Sequence, residues 1–105
     1  MTINDLISRI ESTGFMNAEI AFLKTPTYPA LVYFIDPSGE GSDDKNLINS
    51  HKIRLELSQL KIDKSVEQKI QNEVLFDVEY DSDSGYINEE KLFYRYYYFS
   101  ISEII

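Results

Sequence analysis

The chain has 105 residues with neither Cys nor Trp, and 18 acidic residues against 10 basic ones give a net charge of −8. That length predicts one domain, 1–105, with a real but modest core. The missing thiols exclude disulfides, thiolate chemistry and thiolate metal sites together. The charge balance opposes nucleic-acid binding, because Arg9, Lys24, Lys52, Arg54, Lys61, Lys64 and Lys69 are scattered along an acidic chain.

The opening "MTINDLISRIE" has no basic stretch followed by an apolar run, so no secretion signal is expected. No segment approaches the roughly 18 apolar residues of a membrane span. Thr2 and Asp5 form a capping pair, and Ile3, Leu6, Ile7 and Ile10 make one apolar stripe, which predicts a helix over 3–12. Gly14 supplies the stop. "EIAFLK" (19–24) reads as a short strand, ended by Pro26 and Pro29.

"ALVYFID" (30–36) is β-branched and aromatic enough for a central strand. The polar stretch 37–50 reads as a mobile loop, and "HKIRLELSQL" (51–60) alternates as a half-buried strand. Ser65 and Gln68 suggest a second capping box, with Val66, Ile70 and Val74 on one face of a helix over 65–75. "FDVEYD" (76–81) alternates with Phe76, Val78 and Tyr80 inward, 82–90 reads as a turn or short helical link, and 92–101 is the last long strand. The order α-β-β-β-α-β-β predicts an α+β domain of about five mostly antiparallel strands with two helices on one face.

Catalytic and metal signals are weak. His51 is the single histidine and reads as a partly exposed strand-end residue. Asp36, Ser38, Glu40 and Gly41 match part of a calcium loop, but Leu47 stands where the bidentate acid belongs. Asp77, Glu79, Asp81 and Asp83 read as solvated carboxylates rather than an acid–base pair. There is no phosphate loop or serine-nucleophile motif. The expectation is a non-enzyme with no cofactor, no metal, no sequence-specific nucleic-acid binding and no membrane partner.

The terminal "KLFYRYYYFSI" (91–101) places six rings in seven consecutive positions. Alternation sends Phe93, Arg95, Tyr97, Phe99 and Ile101 to one face and Leu92, Tyr94, Tyr96, Tyr98 and Ser100 to the other. The first set suits a core under helices. For Tyr94, Tyr96 and Tyr98 two readings stay open: cross-strand pairs on a solvated sheet face, and a subunit interface. A base-stacking platform would also need a basic groove, which the sequence lacks.

With its short N-terminal helix, "PALVYFID", the polar loop, "HKIRLELSQLKIDKSVEQKIQNEVL" and "EEKLFYRYYYFSI", nearly the whole chain resembles small phage and prophage tail-completion proteins. These are tail-terminator or head–tail joining proteins of long-tailed phages. The resemblance implies a subunit of a ring, hexameric in the family, that ends the tail tube and docks to the head connector. It implies assembly in the host cytoplasm and a place in the virion tail. It carries no catalytic residue. Loop 37–50 corresponds to a mobile loop of the family but lacks aromatics. The alternative reading is a small acidic binding module, antitoxin- or immunity-like, that masks a basic partner.

Overall fold

The computed structural model describes residues 1–37 and 48–104. Helix α1 (Ile3–Ser12) begins with a reciprocal cap. The Thr2 hydroxyl accepts from the Asp5 N–H at 3.0 Å, and the Asp5 carboxylate accepts from the Thr2 N–H at 2.9 Å. The Glu103 carboxylate accepts from the Ile3 N–H, so the far end of the chain neutralises another orphan donor where the helix dipole favours negative charge. The chain leaves α1 through Thr13 and Gly14, which takes φ +79°, a conformation that suits a residue without Cβ.

Five strands follow the expected order: β1 (Met16–Glu19), β2 (Ala30–Pro37), β3 (Ile48–Gln59), β4 (Asp81–Ile87) and β5 (Leu92–Ile104), with α2 (Lys64–Glu73) between β3 and β4. The sheet order is β1-β2-β3-β5-β4, antiparallel throughout except for the parallel β1–β2 pair. The fold is therefore α+β, with the element order read from the sequence.

One sheet face is the core. Leu31 and Tyr33, Ile53, Leu55 and Leu57, and Tyr97, Phe99 and Ile101 meet Leu6 and Ile10 of α1 and Ile70 of α2 in a single buried cluster. Both helices thus cover the same face, each through its one apolar stripe. Arg95 shares this face as alternation requires, and its charge is satisfied: Nε donates to Glu67 of α2 at 3.0 Å and Nη1 to Ser82 of β4 at 3.1 Å. No described helix is long and apolar enough to cross a membrane.

Four expectations need correction. The first strand lies at Met16–Glu19 rather than 19–24, because Ile20 takes φ +71° and turns the chain off the sheet. Asp63, not Ser65, caps α2, its carboxylate accepting from the Ser65 N–H at 2.9 Å and from the Ser65 hydroxyl at 2.6 Å. Of residues 76–81, expected as a strand, only Asp81 is in one. Arg9 holds this stretch as a turn: it pairs with Asp77 at 2.7 Å, donates to the Val74 carbonyl at 3.1 Å and lies over the Phe76 ring at 4.3 Å. Phe76, expected inward, is 62% exposed as the lid on that guanidinium. The strand that pairs with β5 on the side away from β3 is Asp81–Ile87, within the stretch 82–90 expected as a link, rather than 76–81. Of loop 37–50, residues 38–47 lie outside the described residues, and the rest extends β2 and β3.

Candidate interaction surface

The sheet face opposite the helices is built in cross-strand rows. One row runs Phe34, Arg54, Tyr98, Asp81; the next Val32, Glu56, Tyr96, Asp83; the third Ala30, Ser58, Tyr94, Gly85. Period-two alternation along each strand makes this inevitable once the opposite set is committed to the core. Tyr94, Tyr96 and Tyr98 therefore stand in one column along β5, as expected.

The column is packed within itself. The Tyr94 and Tyr96 rings are 4.6 Å apart and tilted, and Tyr96 meets Tyr98 edge-on at 6.3 Å. Tyr94 also leans over Gly85, the glycine of β4, where the missing side chain admits the ring. Tyr94 and Tyr96 are half-buried, whereas Tyr98 is 39% exposed. Beside them, Arg54 lies 4.1 Å over the Phe34 ring and pairs with Glu56 at 2.7 Å. Burial pushes the Glu56 carboxyl up from its ordinary value despite Arg54. Burial, then the Glu56 charge, pushes the Tyr96 hydroxyl up.

Grooves border the sheet. One, of about 400 Å³, lies between α2 and the β4–β5 hairpin, lined by Leu57, Ile62, Tyr86, Phe93, Lys64 and Arg95 among others. Another is more polar, about 670 Å³, and runs from residues 77–81 to Tyr98 and Ser100. Asp81 and Asp83 are exposed on β4, and Glu79 precedes them. Asp77 is not on a strand face; its hydrogen bond from Arg9 holds its carboxyl below the ordinary value.

Among the described residues, no group of three or more His, Asp and Glu is placed to hold a metal ion. Asp36 ends up on β2, while Ser38, Glu40, Gly41 and Leu47 of the calcium comparison lie outside the described residues. His51 is not at a strand end: it is inside β3, its side chain 17% exposed and 3.4 Å from Glu103, with neither ring nitrogen in a hydrogen bond among the described residues. Sequence reading found the tyrosine column but missed Phe34, Arg54, Glu56 and Gly85 around it. The alternation of 51–60 held the signal for Arg54 and Glu56, since the residues outside the core set must share the tyrosine face.

No known protein-family model matches the chain, and no curated protein matches it.

Proposed function

We propose that this chain is a non-enzymatic structural component of a phage tail or head–tail interface, a subunit of a ring that ends the tail tube and docks to the head connector. The observation that carries this reading is the Tyr94–Tyr96–Tyr98 column on a sheet face that neither helix covers. An open sheet face on a monomer is ordinarily polar. Here three tyrosines and Phe34 supply ring surface that tolerates water before assembly and burial after it, the character of protein interfaces. The resemblance of "PALVYFID" and "EEKLFYRYYYFSI" to tail-completion proteins supplies the identity of the assembly. Partners are then other copies of the chain in a ring, six as in the tail-completion proteins it resembles, with tail-tube and head-connector proteins at its two ends.

Sedimentation of the wild type and of Tyr96→Ser over a salt series tests the reading. Eight net negative charges per subunit repel, so salt should favour association by screening. Wild type should associate, and Tyr96→Ser should stay monomeric with an unchanged fold, because Tyr96 is the centre of the column. A wild type that is monomeric at every salt concentration, with tails completed normally by Tyr96→Ser phage, would leave the acidic binding module as the better account.

A further inference from the structure

The two edges of the sheet differ, and the difference suggests how neighbouring copies meet. At the β1 edge the chain turns off the sheet at Ile20, whose φ of +71° is a left-handed conformation unfavourable to a β-branched residue. The turn is closed by the Ala21 N–H donating to the Glu19 carbonyl at 2.8 Å. Its product is an apolar knob: Ile20 is 66% exposed and Leu23 fully so, with Lys24 beside it. Lys24 has no ion pair among the described residues. A strained turn that leaves two large aliphatic side chains exposed points to a contact made elsewhere.

At the β4 edge lies the groove of about 670 Å³ formed by residues 77–81 with Tyr98, Phe99 and Ser100. Its lining includes Val78 and Tyr80, and also Glu79 and Asp81, which have no ion pair among the described residues. β4 is also an edge strand, so one side of its backbone has no strand partner in the sheet.

Knob and groove lie at the same level. The row Glu19, Tyr33, Leu55, Tyr97, Ser82 crosses the whole sheet, so the chain leaves β1 one residue beyond Glu19 where β4 begins at Asp81, one residue before Ser82. β4 and β1 run in opposite directions, as follows from the pairings between them. A second copy set beside the first in the sheet plane therefore presents its β1 antiparallel to β4, and its 20–24 turn over the groove. Leu23 then meets Val78 and Tyr80, and Lys24 meets Glu79 and Asp81. The contact is head-to-tail, which closes into a ring where the rotation from copy to copy closes, and the groove is continuous with the tyrosine column through Tyr98.

We propose that copies of this chain join edge to edge, the 20–24 turn of one seated in the acidic groove beside β4 of the next. The proposal rests on the ring reading and adds an edge contact to the one that the tyrosine face supplies.

The absence of native cysteine makes a clean test. Leu23→Cys and Glu79→Cys, both at exposed positions, are prepared separately, mixed under associating salt and treated with a short bis-maleimide. The mixture should give a covalent dimer that neither variant gives alone, and a chain carrying both changes should give a ladder that stops at the ring size. Lys24→Glu should weaken association several-fold, and Glu79→Lys in the same chain should restore it. Leu23→Cys cross-linking to itself would mean a two-fold contact and overturn the proposal. A wild type that sediments as an oligomer while the mixture stays uncross-linked would overturn it too, leaving the ring reading intact. A wild type that never associates removes both.

Discussion

Gly85 on β4 sits directly under the Tyr94 ring on β5: a methyl group built on its Cα would lie 2.5 Å from the Tyr94 hydroxyl oxygen. This cross-strand pair fixes where the tyrosine column starts. Two effects oppose each other in Gly85→Ala. Replacing a strand glycine gains about 0.5–1 kcal/mol of backbone entropy. Displacing the Tyr94 ring forfeits about 0.5–1.5 kcal/mol of ring packing against Tyr96. The ring is the far end of a flexible side chain and can swing away, so unfolding free energy should stay within about 1 kcal/mol of wild type. The aromatic near-ultraviolet dichroism should change, and association should weaken. A variant that keeps both the dichroic signature and full association would show that the ring does not need Gly85.

Tyr97 gives an alkaline prediction. It is fully buried, packed edge-on at 5.5 Å from Tyr80, and its hydroxyl has no hydrogen bond of good geometry, although Gln71 approaches it. Burial pushes it up to about 12. The unfolded chain ionises this group first, near pH 10, so the native state binds the extra proton and stability falls as pH rises from about 10 to 12. The loss from this group is on the order of 2–3 kcal/mol. Tyr97→Phe should be neutral or stabilising at pH 7, since it removes a polar atom without a partner. It should also flatten the alkaline fall, with Tyr33 and Tyr96, both also pushed up by burial, leaving a remainder. Urea titrations of both proteins across that pH range measure it. An unchanged alkaline slope in Tyr97→Phe would refute the assignment.

Arg9 joins α1 to the turn after α2 through Asp77, the Val74 carbonyl and the Phe76 ring. Arg9→Met keeps the stem but loses all three contacts. A partly exposed ion pair alone contributes little. With the hydrogen bond and the ring contact the loss should reach about 1–2 kcal/mol. Hydrogen bonding holds the Asp77 carboxyl low, so its contribution is present above the unfolded pKa and disappears as pH falls through the folded one. The stability difference between wild type and Arg9→Met should therefore shrink below about pH 4. A difference that persists undiminished in acid would assign it to packing alone.

The same Arg9 explains where sequence reading succeeded and where it failed. Elements with a one-sided apolar pattern were legible: the stripe of Ile3, Leu6 and Ile10, the alternation of Ile53, Leu55 and Leu57, and the two faces of 92–101. Residues 76–81 alternate equally well, but their pattern is met by Arg9, a residue 68 positions away in the pair with Asp77, and no local rule anticipates that. β4 failed for the opposite reason. An exposed edge strand needs no apolar alternation, so "DSDSGYI" looks like a link until β5 offers it a hydrogen-bonding partner. The tyrosine column was legible from spacing alone; Gly85 beneath it depended on the register of a strand the sequence did not disclose.

Glu56 couples the tyrosine face to assembly. Its carboxylate is already partly buried, paired with Arg54 on its own strand, with Val32, Tyr96 and Asp83 across its row. Burial outweighs Arg54 and raises its pKa, so the native state favours the protonated acid more than the unfolded chain does. A subunit or tail protein that covers Tyr96 removes more water from Glu56 and raises it further, coupling assembly to proton uptake. Association should then strengthen as pH falls through the raised pKa. Falling net charge acts in the same direction on the whole surface, and Glu56→Gln separates the two. Gln keeps the shape and cannot ionise, so this variant should associate more tightly than wild type at pH 7 and lose part of the pH dependence. Sedimentation of both proteins from neutral to mildly acidic pH reads the difference. Parallel pH profiles would mean that Glu56 stays in water when the protein assembles, and that the tyrosine face is not what its neighbours cover.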